Sequence, residues 1–316
     1  MIKHRTETFT LGHSPDPDDA FMFYAIAKNK IDLRGYRFEH QLEDIQTLNE
    51  RAQRGELHIS AISIHAYAYV ADKYALLPCG ASMGDGYGPL VIRKQRNEAT
   101  NRPVGRALPY TLPSPNWRAE DCPPYPAAID DQVGEMLRDC VVAVPGKMTS
   151  AFLALQLFLG EFNFIVVPFD KIFDSVKNGR ADAGLIIHEG QLTYARSGFE
   201  KIVDLGEWWK RKTGLPLPLG GNVVRKDLPP SVRRDISEII RQSIDYGLTH
   251  RDEAVAYSLA YARDMNRELA SKFIGMYVNE FTRDYGEIGR AGISRFLTDA
   301  HDKGYIGVPI ALEFVQ

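Results

Sequence analysis

Cys140-Val141-Val142-Ala143-Val144-Pro145-Gly146-Lys147-Met148-Thr149-Ser150 is the stretch on which the fold turns. Its opening apolar, β-branched run predicts a strand buried on both faces. Pro145 and Gly146 turn the chain, and Thr149-Ser150 opens an apolar helical run over 151–159, as hydroxyl side chains do where a helix leaves its first N–H groups unpaired. Strand, glycine turn and hydroxyl-rich helix start together make an anion-binding geometry.

Outward from this unit the same rhythm continues. Strands are predicted over 164–167 and 183–187, with a helix between them carrying Ile172, Phe173 and Val176 on one face, which completes a βαβαβ unit. Upstream, strands at 8–12, 37–42 and 58–64 alternate with helical patterns at 19–28, 45–54 and 65–72. A strand at 90–93 closes this first section, and 222–225 reads as a strand returning to it. Downstream, Val232, Ile236, Ile239, Ile240 and Ile244 follow helical spacing, and Thr249 is the expected N-cap of a further helix with Asp252 and Glu253 in its first turn.

A chain of 316 residues exceeds the roughly 100 to 200 residues of one ordinary domain. The pattern predicts an α/β fold of two lobes, residues 1–93 plus 222–316 and residues 94–221, with a ligand cleft between them. Residues 95–138 carry seven prolines among polar residues and read as a surface insertion without regular structure. Tyr110, Trp117 and Tyr125 would pack it onto a lobe or overhang the cleft.

Composition narrows the function. Hydrophobic residues make up 44% and charged residues 25%, as in soluble globular proteins. A net charge of -3 gives no field for nucleic acid or an anionic membrane. No apolar run approaches the roughly 20 residues of a membrane-spanning helix, and the first residues lack the apolar core of a secretory signal, so a cytoplasmic location is expected. Cys79, Cys122 and Cys140 fit neither a disulfide framework nor a zinc or redox pair and read as reduced thiols.

Several positions could carry chemistry. Ser14-Pro15-Asp16-Pro17-Asp18-Asp19 lies between a strand and a helix; its carboxylates suit helix capping and loop fixing, direct substrate contact through Ser14 and Asp19, or a metal. His188-Glu189-Gly190 follows the strand 183–187, so His188 would emerge at a carboxyl end of a parallel sheet, where such folds place ligand groups. An imidazole titrating near neutrality is the commonest general base, although a structural histidine is the plainer reading, and Glu189 would orient it or cap the next helix. Thr149, Ser150 and Ser63 would offer hydroxyl and N–H donors to a carboxylate or polyol, or act as simple caps. Gly84-Asp85-Gly86-Tyr87-Gly88 lacks the Lys-Ser/Thr and strand-helix context of a nucleotide loop, and Trp208-Trp209 reads as core.

Leu185-Ile186-Ile187-His188-Glu189, Thr193-Tyr194, Val203-Asp204-Leu205-Gly206, Trp208-Trp209 and Thr213-Gly214-Leu215-Pro216-Leu217-Pro218-Leu219-Gly220 resemble the 1,4-dihydroxy-6-naphthoate synthase family of the futalosine route to menaquinone. The resemblance extends upstream through Leu42-Glu43-Asp44, Thr47-Leu48-Asn49, Gly88-Pro89-Leu90-Val91 and Val144-Pro145-Gly146, and downstream to Tyr277-Val278-Asn279. It implies a fold like the type II periplasmic binding proteins and a carbon–carbon lyase without metal or organic cofactor. The substrate would be the anionic aromatic cyclic dehypoxanthinylfutalosine. In that chemistry His188 matches the base that removes a sugar hydroxyl proton, with Ser63, Thr149 and Ser150 in substrate-binding segments. One departure stands out: where the family reads S-P-C-P-N-D-T-F, this chain has Asp16, Asp18 and Ala20 for Cys, Asn and Thr. Added carboxylates beside an anionic substrate would repel it, which leaves room for a sister enzyme resembling chorismate dehydratase, or a cytoplasmic small-carboxylate-binding protein.

Overall fold

A computed structural model describes residues 7–95, 127–262 and 265–316. Six strands form the first sheet: β1 (Glu7–His13), β2 (Tyr36–Leu42), β3 (Ile59–Ser63), β4 (Tyr74–Leu76), β5 (Ser82–Gly84) and β11 (Leu217–Arg225). The second holds β6 (Leu90–Lys94), β7 (Val141–Val144), β8 (Asn163–Val166), β9 (Ala183–Ile186) and β10 (Phe199–Asp204). The first runs β2-β1-β3-β11-β4 with β5 also on β11, and the second β10-β6-β9-β7-β8. β1 pairs in parallel with β2 and β3, and β7 with β8 and β9. β11 and β6 enter antiparallel, as the strands that carry the chain across.

Those crossings lie nearer the chain start than the sequence suggested. Leu90–Lys94 belongs to the second sheet and Leu217–Arg225 to the first, so the chain crosses through 84–90 and 204–217 rather than at 93 and 222. The glycines rejected above as a phosphate loop build the outgoing crossing. A Cβ on Gly84 or on Gly206 would lie 1.9 Å from the Tyr87 carbonyl oxygen, closer than any side chain permits, so glycine alone lets the crossing segments touch.

The helix Ser150–Leu159 is apolar on nearly every face and buries Phe152, Leu153, Leu155 and Leu157. It packs against Trp209 and Phe296 in one core that also reaches Ile62 and Tyr67 of the first lobe, which is why it lacks a polar face. Trp209 is fully buried, as expected, and its indole N–H donates to the Pro216 carbonyl at 3.2 Å. A second core packs Phe9, Leu11 and Ile59 against Ile236, Ile239 and Ile240 of the helix Pro230–Thr249, the spacing read from sequence.

Other expectations are corrected. Residues 127–138, assigned to the irregular insertion, form the helix Ala127–Arg138, which buries Val133 and Leu137; the prolines end at 126, and after them the helical period is unbroken. Residues 96–126, with Tyr110, Trp117, Cys122 and Tyr125, lie outside the described residues. The helix expected over 65–72 is one turn, Ile64–Tyr67. Thr249 ends its helix instead of capping the next, its hydroxyl donating back to the Asp245 carbonyl at 2.8 Å, the habit of Thr inside helices. No helix among the described residues is long and apolar enough to cross a membrane.

Candidate active site

Between the sheets lies a cavity of about 950 Å³, open solvent at its mouth included. It is lined by all six residues singled out from sequence, Ser14, Asp19, Ser63, Thr149, Ser150 and His188. They arrive from the carboxyl ends of β1, β3, β7 and β9, where an open parallel sheet presents its loops.

His188 follows β9 and is 9% exposed. Its Nε2 donates to the Phe169 carbonyl at 3.2 Å, and its Nδ1 accepts the Gly190 N–H at 3.0 Å. A carbonyl can only accept and an N–H only donate, so the ring is the neutral Nε2–H tautomer with its lone pair on Nδ1. Gly190 makes this approach possible, since a Cβ there would stand 2.8 Å from the imidazole Cε1. Glu189 places a carboxylate oxygen 3.6 Å from Nδ1. It makes no side-chain cap to the helix that follows, and at that distance it would pair with the imidazole only once Nδ1 is protonated. Phe169 and Phe173 meet the ring edge-on at 5.4 and 6.2 Å.

The hydroxyl residues divide. Thr149 caps its helix, accepting the Phe152 N–H at 3.2 Å and donating to the Gly146 carbonyl at 2.9 Å, so it faces the cavity with its hydroxyl already engaged. Ser150 accepts the His65 N–H at 3.1 Å and donates to the Leu219 carbonyl at 2.6 Å; both partners belong to the first lobe, and the hydroxyl ties the lobes together. Ser63 accepts the Asn49 amide at 3.0 Å while Asn49 Oδ1 takes the Ser63 N–H at 2.8 Å, which leaves the Ser63 hydroxyl hydrogen to donate.

The loop after β1 is acidic and buried. Asp19 accepts the Ser14 N–H at 2.7 Å, a loop-fixing role, and Asp16 is the N-cap residue of Pro17–Met22 without a side-chain cap bond. Burial, then repulsion from Asp16, pushes the Asp18 carboxyl up to about 7, and burial with repulsion from Asp18 raises Asp19 well above the ordinary carboxylate range. Both therefore hold protons far more readily than exposed carboxylates. Among the described lining residues there is neither Lys nor Arg. Among the described residues no group of three or more His, Cys, Asp or Glu is arranged to hold a metal ion.

Sequence reasoning missed two residues of the cavity wall. Asn222 of β11 lines the cavity, and a lone amide inside a buried strand was its only signal. Tyr277 lines it too and donates to Gln191 Oε1 at 2.6 Å, joining the first lobe to the helix just after His188. These contacts link positions far apart in sequence, which periodicity does not reveal.

A family model described as menaquinone biosynthesis matches residues 9–108 and 127–302. The chain is 36% identical over 298 residues to 1,4-dihydroxy-6-naphtoate synthase of Thermus thermophilus, covering 94% of this chain and 96% of that protein. It is 32% identical over 316 residues to the Streptomyces coelicolor protein of the same name, covering 98% and 99%. A crystal structure of an Archaeoglobus fulgidus protein superposes with a TM-score of 0.80 at 38% identity, covering 96% of this chain and all of that one. A Candida albicans protein described as having the generic periplasmic binding protein fold gives 0.65 at 14% identity, covering 96% and 92%, a likeness of fold alone.

Proposed function

The chain belongs to the menaquinone-biosynthesis family, and from that premise we propose that it is a 1,4-dihydroxy-6-naphthoate synthase, a carbon–carbon lyase acting in the cytoplasm on cyclic dehypoxanthinylfutalosine. The observation that carries the reading is His188, held as a neutral imidazole at the wall of the inter-sheet cavity in a chain related over nearly its full length to proteins of that name.

The geometry suits a base acting through Nδ1. A substrate hydroxyl takes the place of the Gly190 N–H and gives its proton to Nδ1. The oxygen's electrons become a carbonyl as the adjacent carbon–carbon bond breaks, and the electron pair of that bond passes to the ring ketone as an enolate, which aromatises after protonation. The Phe169 carbonyl holds Nε2–H throughout and fixes the tautomer, while Glu189 stabilises the imidazolium that forms. The carboxylate of the substrate fits the start of the helix Ser150–Leu159, where first-turn N–H groups and the Ser63 hydroxyl supply donors without a cation.

Purified protein is incubated with cyclic dehypoxanthinylfutalosine, and dihydroxynaphthoate is followed by absorbance and mass. Turnover is expected, with a loss on the order of 100-fold or more in His188→Ala while the melting temperature is kept. Near-normal turnover by the variant removes His188 from the chemistry; no turnover by the wild type, with tight binding of another hydroxy acid, means that Asp16 and Asp18 have changed the substrate.

A further inference from the structure

The cavity wall formed by the first lobe includes a buried hydrogen-bond acceptor that no donor among the described residues meets. Asn222 is 1% exposed. Its Nδ2 donates to the Gly80 carbonyl at 3.1 Å, and this sets which way the amide points, since the reverse orientation would oppose two oxygens. Oδ1 is then left buried without a donor. Such an orphan is destabilising and is uncommon in native proteins. The acidic loop of Asp18 and Asp19 lines the same cavity, with no Lys or Arg among the described lining residues. A carboxylate has no hydrogen to give the Asn222 oxygen, whereas a hydroxyl would bring the missing donor and no charge.

We propose that Asn222 is a specificity-determining residue that accepts a hydrogen bond from a hydroxyl on the polyol part of the substrate. The inference rests on the lyase reading and assigns an orientation within it: sugar-derived hydroxyls against Asn222, carboxylate toward the start of the helix Ser150–Leu159. His188, on the opposing lobe, then meets the sugar end, where the proton must leave.

The test compares wild type with Asn222→Ala by calorimetric titration, both in a His188→Ala background so that substrate persists. The probes are cyclic dehypoxanthinylfutalosine and 1,4-dihydroxy-6-naphthoate, which keeps the carboxylate and has lost the polyol carbons. Asn222→Ala is expected to weaken the first by roughly five- to tenfold, the worth of one hydrogen bond, and the second by less than about twofold. Equal weakening of both, or of neither, overturns the proposal. Should Asn222→Ala not fold, the deletion is made on the ligand: one deoxy analogue is expected to lose the same five- to tenfold on the protein with Asn222 intact, and analogues that all bind like the parent overturn it. Tighter binding of an amino-polyol than of the polyol also overturns it, since the acceptors would then be serving a cation. Failure of the lyase reading is seen separately, as absence of turnover by the protein with His188 in place.

Discussion

Asp18→Asn should make the protein more stable at pH 8 and hardly change it at pH 4. In the fold, burial and the neighbouring Asp16 raise the Asp18 carboxyl from its ordinary 3.8 to about 7. The folded state therefore binds a proton that the unfolded chain has released at every pH between those values. A group raised in this way stabilises fully below 3.8, and its contribution is lost as pH rises to about 7. The full difference is about 4 kcal/mol. Asp18 is half-buried and lines the cavity, so about half of that difference, near 2 kcal/mol, is expected. Asparagine has nearly the same shape and never ionises. The melting temperatures of the two proteins should thus separate with rising pH, by roughly 4 °C above pH 7.5 for a chain of this size, and converge near pH 4. Buried His13 and His65, lowered to about 3 and about 4 mainly by burial, act in the opposite direction: they lose stability as pH falls below their ordinary 6.5. Both proteins share that loss, so it cancels in the difference. Parallel melting curves from pH 4 to 8.5 would refute the reasoning and place the Asp18 carboxylate in water.

Two further outcomes follow from the crossings and the inter-sheet cleft. Gly206→Ala should destabilise by about 3 kcal/mol or more, since its Cβ would stand 1.9 Å from the Tyr87 carbonyl oxygen and only backbone movement relieves that; unchanged urea unfolding would show that the crossing is slack. Ser150→Ala removes both cross-lobe bonds of its hydroxyl and strands the His65 N–H and Leu219 carbonyl, costing about 2 kcal/mol; a higher KM with little change in kcat is expected, and a fall in kcat alone would assign the hydroxyl to chemistry.

The strands and the loops that bear the cavity were legible because both are local: β7 announces itself by four apolar residues, and its turn by Pro145-Gly146. Where the chain changes sheet was not. Leu90–Lys94 is as apolar as a first-sheet strand would be, and nothing in its own residues says that it pairs with β9 and β10. The glycines at 84, 88 and 206 held that information, but as steric permission for contact between distant segments, which is readable only once both segments are placed.

The same limit explains why the hydroxyls were judged only in part. Thr149 and Ser150 are neighbours in one motif and chemically near-equivalent, yet one caps its own helix and the other bridges to a strand 69 residues away. A sequence specifies what a hydroxyl can do; the packing of the second lobe onto β11 decides what it does. By the same logic the substrate must supply what the walls lack. In the proposed orientation the carboxylate lies at the start of the helix Ser150–Leu159 and the hydroxyls lie toward Asn222, whose oxygen lacks a donor. A ligand with a carboxylate at one end and hydroxyls at the other fits that proposal in one orientation, because a reversed carboxylate would leave the Asn222 oxygen without a donor.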